Sequence, residues 1–335
     1  MSISVAVDPP TDARPQLVQG TVIAVSRGFY EVEADQRIVT CTLRGRLRKE
    51  LVRAERQGGR RGVVAAKQLM RDPVSPGDRV EILLSDDTSG VIERIHPRER
   101  AFERTDSGVP ATGTQTLVAG IDQLVPVFSV SNPEPHLGML DRFLVLAEAA
   151  GLATAVCMNK VDLGIEPALA DRIRTYQAIG YPVVLTSVSL GEGIDELRTL
   201  LSGKTTALVG PSGVGKSSLV NAIEPNFDQR VQAISATSGK GHHTTTGTRL
   251  FPLSGPDGGY LADTAGLRAL ATTTVPPDEL PECFPEFRPF LDRCRMPSCT
   301  HLREPGCAVR LALRVGKVDE SRYRSYRRLR NGEEE

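Results

Sequence analysis

Between Gly20 and Ile95 apolar and polar positions alternate in short runs: GTVIAV (20–25), FYEVE (29–33), RIVTCTL (37–43), DRVEILL (78–84) and GVIERI (90–95). A period of two predicts strands with one face buried. Five of them in so short a stretch predict a small closed barrel of OB type. From Gln123 the texture changes. LVPVFSV (124–130) and TAVCMN (154–159) are continuous apolar runs, which predict strands buried on both faces. MLDRFLVLAEAA (139–150), 167–178 and 194–201 have helical spacing, whereas PVVLTS (182–187) and TALVG (206–210) are strand-like again. Strands alternating with helices predict a doubly wound parallel sheet. After about Val275 the chain becomes proline-rich, gathers three of its six cysteines within 14 residues and ends in a basic helix-like tail, SRYRSYRRLR. The predicted organisation is a disordered lead (1–15), a barrel (16–98), an α/β domain (99–275) and a mainly helical C-terminal segment (276–335).

Composition narrows the function classes. With 335 residues, 40% hydrophobic and 24% charged, the chain is neither disordered nor fibrous and suffices for two or three cores. Lys plus Arg (41) equals Asp plus Glu (41), which excludes a globally basic nucleic-acid coat and an acidic tail protein. Local patches remain. Arg44–Arg61 holds eight basic residues against Glu50 and Glu55, and Arg310–Arg330 holds eight against Asp319 and Glu320. Each is either a solvated face or a surface that attracts RNA phosphates. Tyr323 and Tyr326 in the tail can stack on bases, although packing of the helix on a core is the expected role. The N-terminus lacks a basic start followed by an apolar core, and the stretch Phe143–Met158 is too short to span a bilayer, so no membrane association is expected. Six cysteines in this length are no disulfide scaffold, and the chain reads as cytoplasmic.

The strongest chemical signal is Gly210-Pro211-Ser212-Gly213-Val214-Gly215-Lys216-Ser217-Ser218. It matches G-x-x-x-x-G-K-[ST] between a predicted strand and a predicted helix, the setting in which glycines turn backbone amides toward phosphate. Lys216 is placed to reach the β- and γ-phosphates and Ser217 to ligate Mg²⁺. Asn159-Lys160-Val161-Asp162 ends another strand, where open α/β sheets place ligands. A carboxylate such as Asp162 accepts both N1–H and the exocyclic amine of guanine, a donor pair that adenine lacks. Ser187 and Val188 close the next strand and are expected to present backbone to the base. Asp263-Thr-Ala-Gly266 follows 53 residues after Gly210, with Asp263 expected on Mg²⁺ and the Gly266 amide on the γ-phosphate. The loop Gly239–Thr246 offers several threonines for Mg²⁺, of which Thr245 is favoured. Many GTPases carry a water-orienting glutamine after D-x-x-G. Here that position is Leu267, and His243 is the candidate in its place, against the plainer reading of a solvated loop histidine. The order is unusual, since NKVD and the Ser187 turn precede the P-loop. That order (G4-G5-G1-G2-G3) is a circular permutation, which a compact domain with neighbouring termini permits.

Cys294, Cys299, His301 and Cys307 offer four N/S ligands within 14 residues. Their C-x4-C-x-H-x5-C spacing fits either a tetrahedral zinc site or reduced cysteines beside an unrelated histidine. Cys41, Cys157 and Cys283 are expected as small buried residues.

With these motifs the chain resembles the ribosome small-subunit-dependent GTPases, RsgA or YjeQ, over nearly its whole length. The residues that carry the resemblance are the N-terminal barrel, VAGIDQL (118–124), MNKVDL, LVGPSGVGKSSLVN, the HHTTT loop, DTAG and the cysteine-rich C-terminus. VAGID stands where VANID is usual, and TSV replaces the SAK-type turn. The resemblance implies GTP and GDP as ligands, Mg²⁺ with GTP, and one structural Zn²⁺ on the Cys3His set. It also implies the small ribosomal subunit with its 16S rRNA as partner, late maturation of that subunit as the task, and a monomer. Two other readings are a P-loop ATPase or kinase, which NKVD opposes, and an OB/zinc RNA-binding module that senses nucleotide with little hydrolysis.

Overall fold

The computed structural model describes residues 17–26, 28–47, 74–98, 101–104, 115–225, 248–255, 257–262 and 275–333. The chain divides into two compact units, Met1–Glu99 and Arg100–Glu335. In the first, β1 (Leu17–Ser26), β2 (Phe29–Ala34), β3 (Arg37–Leu43), β4 (Arg79–Leu84) and β5 (Ser89–Ile95) close into a barrel in the order β1-β2-β3-β5-β4. β3 and β5 are parallel and the other pairs antiparallel. The two-residue period is realised directly: Val22, Tyr30, Val32, Val39, Cys41, Val80, Ile82 and Ile92 point inward and are buried. Asp78, at the head of the predicted fourth strand, instead lies just outside it as a buried acid. It accepts from the Ser75 amide (2.7 Å) and from Arg98 through Nε and Nη2 (both 2.7 Å). Of the basic stretch 44–61 only 44–47 are described, with Arg44 paired to Glu93; the rest lies outside the described residues.

The second unit opens with a hairpin, β6 (Ala101–Arg104) and β7 (Gln115–Ala119), which the hydrophobic pattern does not signal. Its body is a sheet ordered β11-β10-β8-β12-β14-β13, with β9 (Ala153–Thr154) also on β8. The strands are β8 (Gln123–Ser129), β10 (Val156–Asn159), β11 (Val183–Thr186), β12 (Thr205–Val209), β13 (Leu250–Pro252) and β14 (Tyr260–Ala262). All of these pairs are parallel except β13 with β14. The helices are α1 (Leu137–Ala149), α2 (Pro167–Ile179), α3 (Ile194–Leu201) and α4 (Lys216–Ile223). Alternation along β8 divides the core: Val125 and Val127 pack with Leu197, Leu201, Leu219 and Ile223 of α3 and α4. Phe128, one position on, meets Phe143 of α1 with ring centroids 6.4 Å apart.

Ser202-Gly203-Lys204 joins α3 to β12, so the strand carrying Asn159 precedes the P-loop strand within one sheet. The junction is pinned from several sides. Gly203 N donates to Gly258 O (3.0 Å), Tyr260 N to Lys204 O (2.9 Å), and Thr205 N to the Asp122 carboxylate (2.8 Å). Gln123 Nε2 reaches Thr206 Oγ1 at 2.7 Å. The Asp122-Gln123 pair of the VAGIDQL motif therefore seats the strand that follows the permutation point.

Residues 275–333 form a 3-10 turn (Leu280–Cys283), α5 (Arg288–Leu291), α6 (Ala308–Arg314) and α7 (Glu320–Asn331). Their core contains Phe284, Phe287, Val309, Tyr323 and Tyr326 and includes Val145 of α1. Phe284 and Phe287 stack at 5.0 Å, and Tyr326 meets both edge-on at 5.4 and 5.1 Å. The tail tyrosines are thus core residues. The tail is also less of a basic surface than its sequence suggests, because Arg322 is fully buried. It donates to Asp141 of α1 (2.7 Å) and to Glu286 (2.7 Å), and its guanidinium lies 4.7 Å from the Phe284 ring centroid. Asp141 also accepts from Tyr176 (2.8 Å), Arg172 (3.3 Å) and Ser325. Among the described residues no helix is long and apolar enough to cross a membrane.

Candidate nucleotide site and metal centre

The parallel register brings three strand ends to one edge of the sheet. Asn159 aligns with Thr186 and with Ser129, and Val209 aligns with Pro126. This is the carboxyl edge, where side chains and loop amides are free of the ladder. At the end of β12 Gly210 adopts φ 143°, and a Cβ there would lie 2.1 Å from the Val127 carbonyl oxygen, so only glycine lets the loop leave beside β8. Gly215, with φ 94°, caps α4, and a Cβ on it would lie 2.5 Å from Asn159 Nδ2. The phosphate-type loop and the NKVD strand are therefore packed against each other.

Asn159 is buried and bonded through both ends of its amide. Its Nδ2 donates to Val214 O (2.9 Å), while its Oδ1 accepts from Thr186 Oγ1 (3.0 Å), tying β10, β11 and the P-loop together. Cys157 Sγ, 3.4 Å from Thr186 Oγ1, extends this chain inward; burial pushes its thiol up to about 12, so it is an inert core group. Lys160 takes a left-handed conformation (φ 64°), and its Nζ donates to Gly213 O (2.8 Å) and to Asn132 O. Asp162 lies in a 3-10 turn (Val161–Leu163) with its carboxylate exposed. Ser187 Oγ donates to Asp162 Oδ1 at 2.6 Å, which holds that carboxyl below its ordinary range against the opposing effect of desolvation. Lys216 Nζ donates to the Gly210 and Pro211 carbonyls (2.8 and 2.7 Å), placing the ammonium inside the arch of its own loop. Ser212, Ser217 and Ser218 are exposed around it, and Val188 is partly exposed after Ser187. A glycine-rich arch at a helix start, with an ammonium inside it, suits an anion.

Asp263, Gly266, Thr245, His243 and Leu267 lie outside the described residues. β14, which precedes the DTAG sequence, ends at Ala262 paired with Ala207 of the P-loop strand.

The sulfur and imidazole atoms of Cys294, Cys299, His301 and Cys307 lie within 4.8 Å of one another. His301 Nδ1 faces the set, 3.6 Å from Cys294 Sγ and 3.5 Å from Cys307 Sγ. The donor chemistry fits Zn²⁺. Burial and then the neighbouring thiols push the Cys299 thiol up to about 12, a conflict that a dication among the sulfurs removes. Burial also lowers the His301 pKa, favouring the neutral imidazole that a ligand requires. Backbone support is in place, since Ala308 N donates to Cys294 Sγ and Arg310 N to Cys307 Sγ, both at 3.4 Å. Tyr323 and Tyr326 donate to the His301 and Thr300 carbonyls (2.6 and 2.7 Å), fixing the ligand loop to the aromatic core. Glu304 gathers the Thr300, Leu302 and Arg303 amides (2.9, 3.0 and 3.0 Å). Cys41, Cys157 and Cys283 are buried and are not among these ligands.

Comparison with known proteins bears on this arrangement directly. A family described as RsgA GTPase matches residues 95–273, and one described as RsgA N-terminal domain matches residues 19–92. The chain belongs to the RsgA GTPase family. It is 41% identical over 315 residues to the small ribosomal subunit biogenesis GTPase RsgA of Gemmatimonas aurantiaca, spanning 93% of this chain and 96% of that one. The RsgA of Moorella thermoacetica is 38% identical, over 92% and 95% of the two chains. Among solved structures, YjeQ from Thermotoga maritima superposes with a TM-score of 0.69 at 30% identity, covering 95% of this chain and 99% of the other. YloQ, described as a circularly permuted GTPase, gives 0.67 at 28%, covering 95% of each. The RsgA assignment makes this chain a GTP hydrolase with a permuted central domain, behind a closed barrel and before a Cys3His cluster able to hold zinc. Thr186 stands in the TSV turn that the sequence marks, while Ser189, one residue beyond it, is not among the residues the motifs single out. Its signal is the TSVS sequence at the end of a predicted strand, legible only once β11 is set beside β10.

Proposed function

We propose that this GTPase binds the small ribosomal subunit during its late maturation and hydrolyses GTP to GDP and phosphate, which drives its release. The carrying observation is the meeting of Asn159, Lys160 and Asp162 with the Gly210–Ser218 loop at one sheet edge, in a chain whose relatives are named for small-subunit biogenesis. In this reading Asp162 accepts the guanine N1–H and amine, and the Ser187 and Val188 backbone faces the base. Gly210, Pro211, Ser212, Gly213, Val214, Gly215, Lys216, Ser217 and Ser218 surround the phosphates. Lys216 leaves its carbonyl partners for the β- and γ-phosphates, a short swing for a flexible ammonium. Ser217, Thr245 and Asp263 hold Mg²⁺, which screens phosphate charge when bound, and Gly266 meets the γ-phosphate. His243 orients the attacking water.

The barrel (16–98) and the exposed arginines of α7 contact 16S rRNA, while residues 276–335 form a domain built on one structural Zn²⁺ held by Cys294, Cys299, His301 and Cys307. The protein works in the cytoplasm as a monomer. The test is Asp162→Asn. An amide donates where guanine also donates, so preference shifts from GTP toward XTP by about tenfold or more, the scale of one mispaired hydrogen bond to a charged group. Competition binding measures the ratio; an unchanged GTP/XTP ratio overturns this reading of the base.

A further inference from the structure

Asp162 is an exposed carboxylate on a turn, and to read a base it must keep one rotamer without help from burial. Its partner is the Ser187 hydroxyl, 2.6 Å from Oδ1. That hydroxyl has a single hydrogen, and the acceptor-only carboxylate takes it. Ser189 Oγ lies 2.9 Å from Ser187 Oγ, and with the Ser187 hydrogen already committed, the Ser189 hydrogen is the one free to serve Ser187 or the Asp162 carboxylate beside it, to which it also bonds. The Leu190 amide donates to the same oxygen at 3.2 Å. Ser187 thus gives one hydrogen bond and can receive two, and each received bond strengthens the one it gives. The turn that presents both serines is closed by Ser187 N donating to Glu192 O at 3.0 Å, which fixes the spacing of the two hydroxyls. Ser189 is exposed and packs into no core cluster, so its hydroxyl is its contribution.

We propose that Ser189 is a positioning residue for base selection, acting on Ser187 and on the Asp162 carboxylate beside it to hold that carboxylate in the orientation that accepts both guanine donors. The proposal rests on Asp162 reading the base. It assigns selectivity to a pair of hydroxyls and leaves phosphate affinity to the Gly210–Ser218 loop.

The experiment is competition binding to the full chain with GDP, IDP and XDP, in wild type, Ser189→Ala, Ser189→Thr and Asp162→Asn. IDP lacks the exocyclic amine, so the GDP/IDP affinity ratio reports how well Asp162 engages the second donor. Ser189→Ala is expected to weaken GDP by about 2- to 10-fold and IDP less, so the ratio falls, while Ser189→Thr restores it. A role confined to folding moves both nucleotides together and leaves the ratio intact. An unchanged ratio in Ser189→Ala, or a threonine variant as defective as alanine, overturns the proposal while Asp162→Asn still shifts preference toward XDP. If Asp162→Asn leaves the GDP/XDP preference unchanged, the reading of Asp162 falls and the proposal falls with it.

Discussion

Removing zinc, by chelation or by Cys299→Ser, is expected to melt residues 290–333 while the sheet and the barrel persist. Nothing in the sequence of the Cys294–Cys307 loop builds a core of its own. Its main fixed points are the four ligands, the Glu304 carboxylate, two tyrosine hydroxyls and the single apolar anchor Leu302. Binding energy in such a site is folding energy, about 10–16 kcal/mol in isolated zinc-finger peptides. Only part of it is lost here, because Phe284 and Phe287 still pack beside Val145 of α1. The chain has no tryptophan and six tyrosines, so near-ultraviolet circular dichroism reads the tyrosines, with Tyr323 and Tyr326 contributing beside the buried Tyr30, Tyr176 and Tyr181. The expected result is about one zinc per chain by metal analysis and, on chelation, loss of the part of that signal due to Tyr323 and Tyr326 while the rest remains. Absence of zinc with unchanged melting contradicts the assignment.

Arg322→Met is expected to destabilise the second unit by about 3–5 kcal/mol, the usual effect of removing one partner from a buried ion pair. Arg322 and Asp141 are both 0% exposed, and Glu286 at 7% has Arg322 as its ion-pair partner among the described residues. Without the guanidinium, Asp141 retains Arg172, Tyr176 and Ser325, whereas Glu286 is left as a buried charge. The pair as a whole need not be strongly stabilising, because desolvating its charges offsets most of their attraction. Arg322→Met combined with Glu286→Gln is therefore expected to recover a large part of the loss. Urea denaturation followed by tyrosine circular dichroism checks both variants. A single variant within about 1 kcal/mol of wild type contradicts the network as described.

Arg322 also shows where sequence reasoning stops. The tail reads as a basic surface because its arginines are close together in the chain, while the acid that buries one of them lies 181 positions away. The strands of the barrel, the P-loop and the NKVD turn are legible because each is written in a run of a few residues with its own period or spacing. The Cys3His set is legible for the same reason, all four ligands falling in one loop. The hairpin β6–β7 gives no such run, and the short β13 is held by pairing with β14 more than by its own three residues. Asp122 and Gln123 stand in the VAGIDQL motif. Their work in seating β12 appears only when the strand after the permutation point is laid beside β8. Thr186 and Ser189 belong to the same class: short polar side chains whose role depends on a neighbour in another strand.

Action of this permuted GTPase on the small ribosomal subunit is tested most directly by GTP turnover with and without isolated small subunits. With Leu267 at the position where a glutamine would orient water, the free protein is expected to turn over slowly. Small subunits are expected to accelerate it by about tenfold or more, equivalent to about 1.4 kcal/mol of barrier or beyond, and large subunits are expected to leave it unchanged. Equal rates with and without small subunits contradict the account.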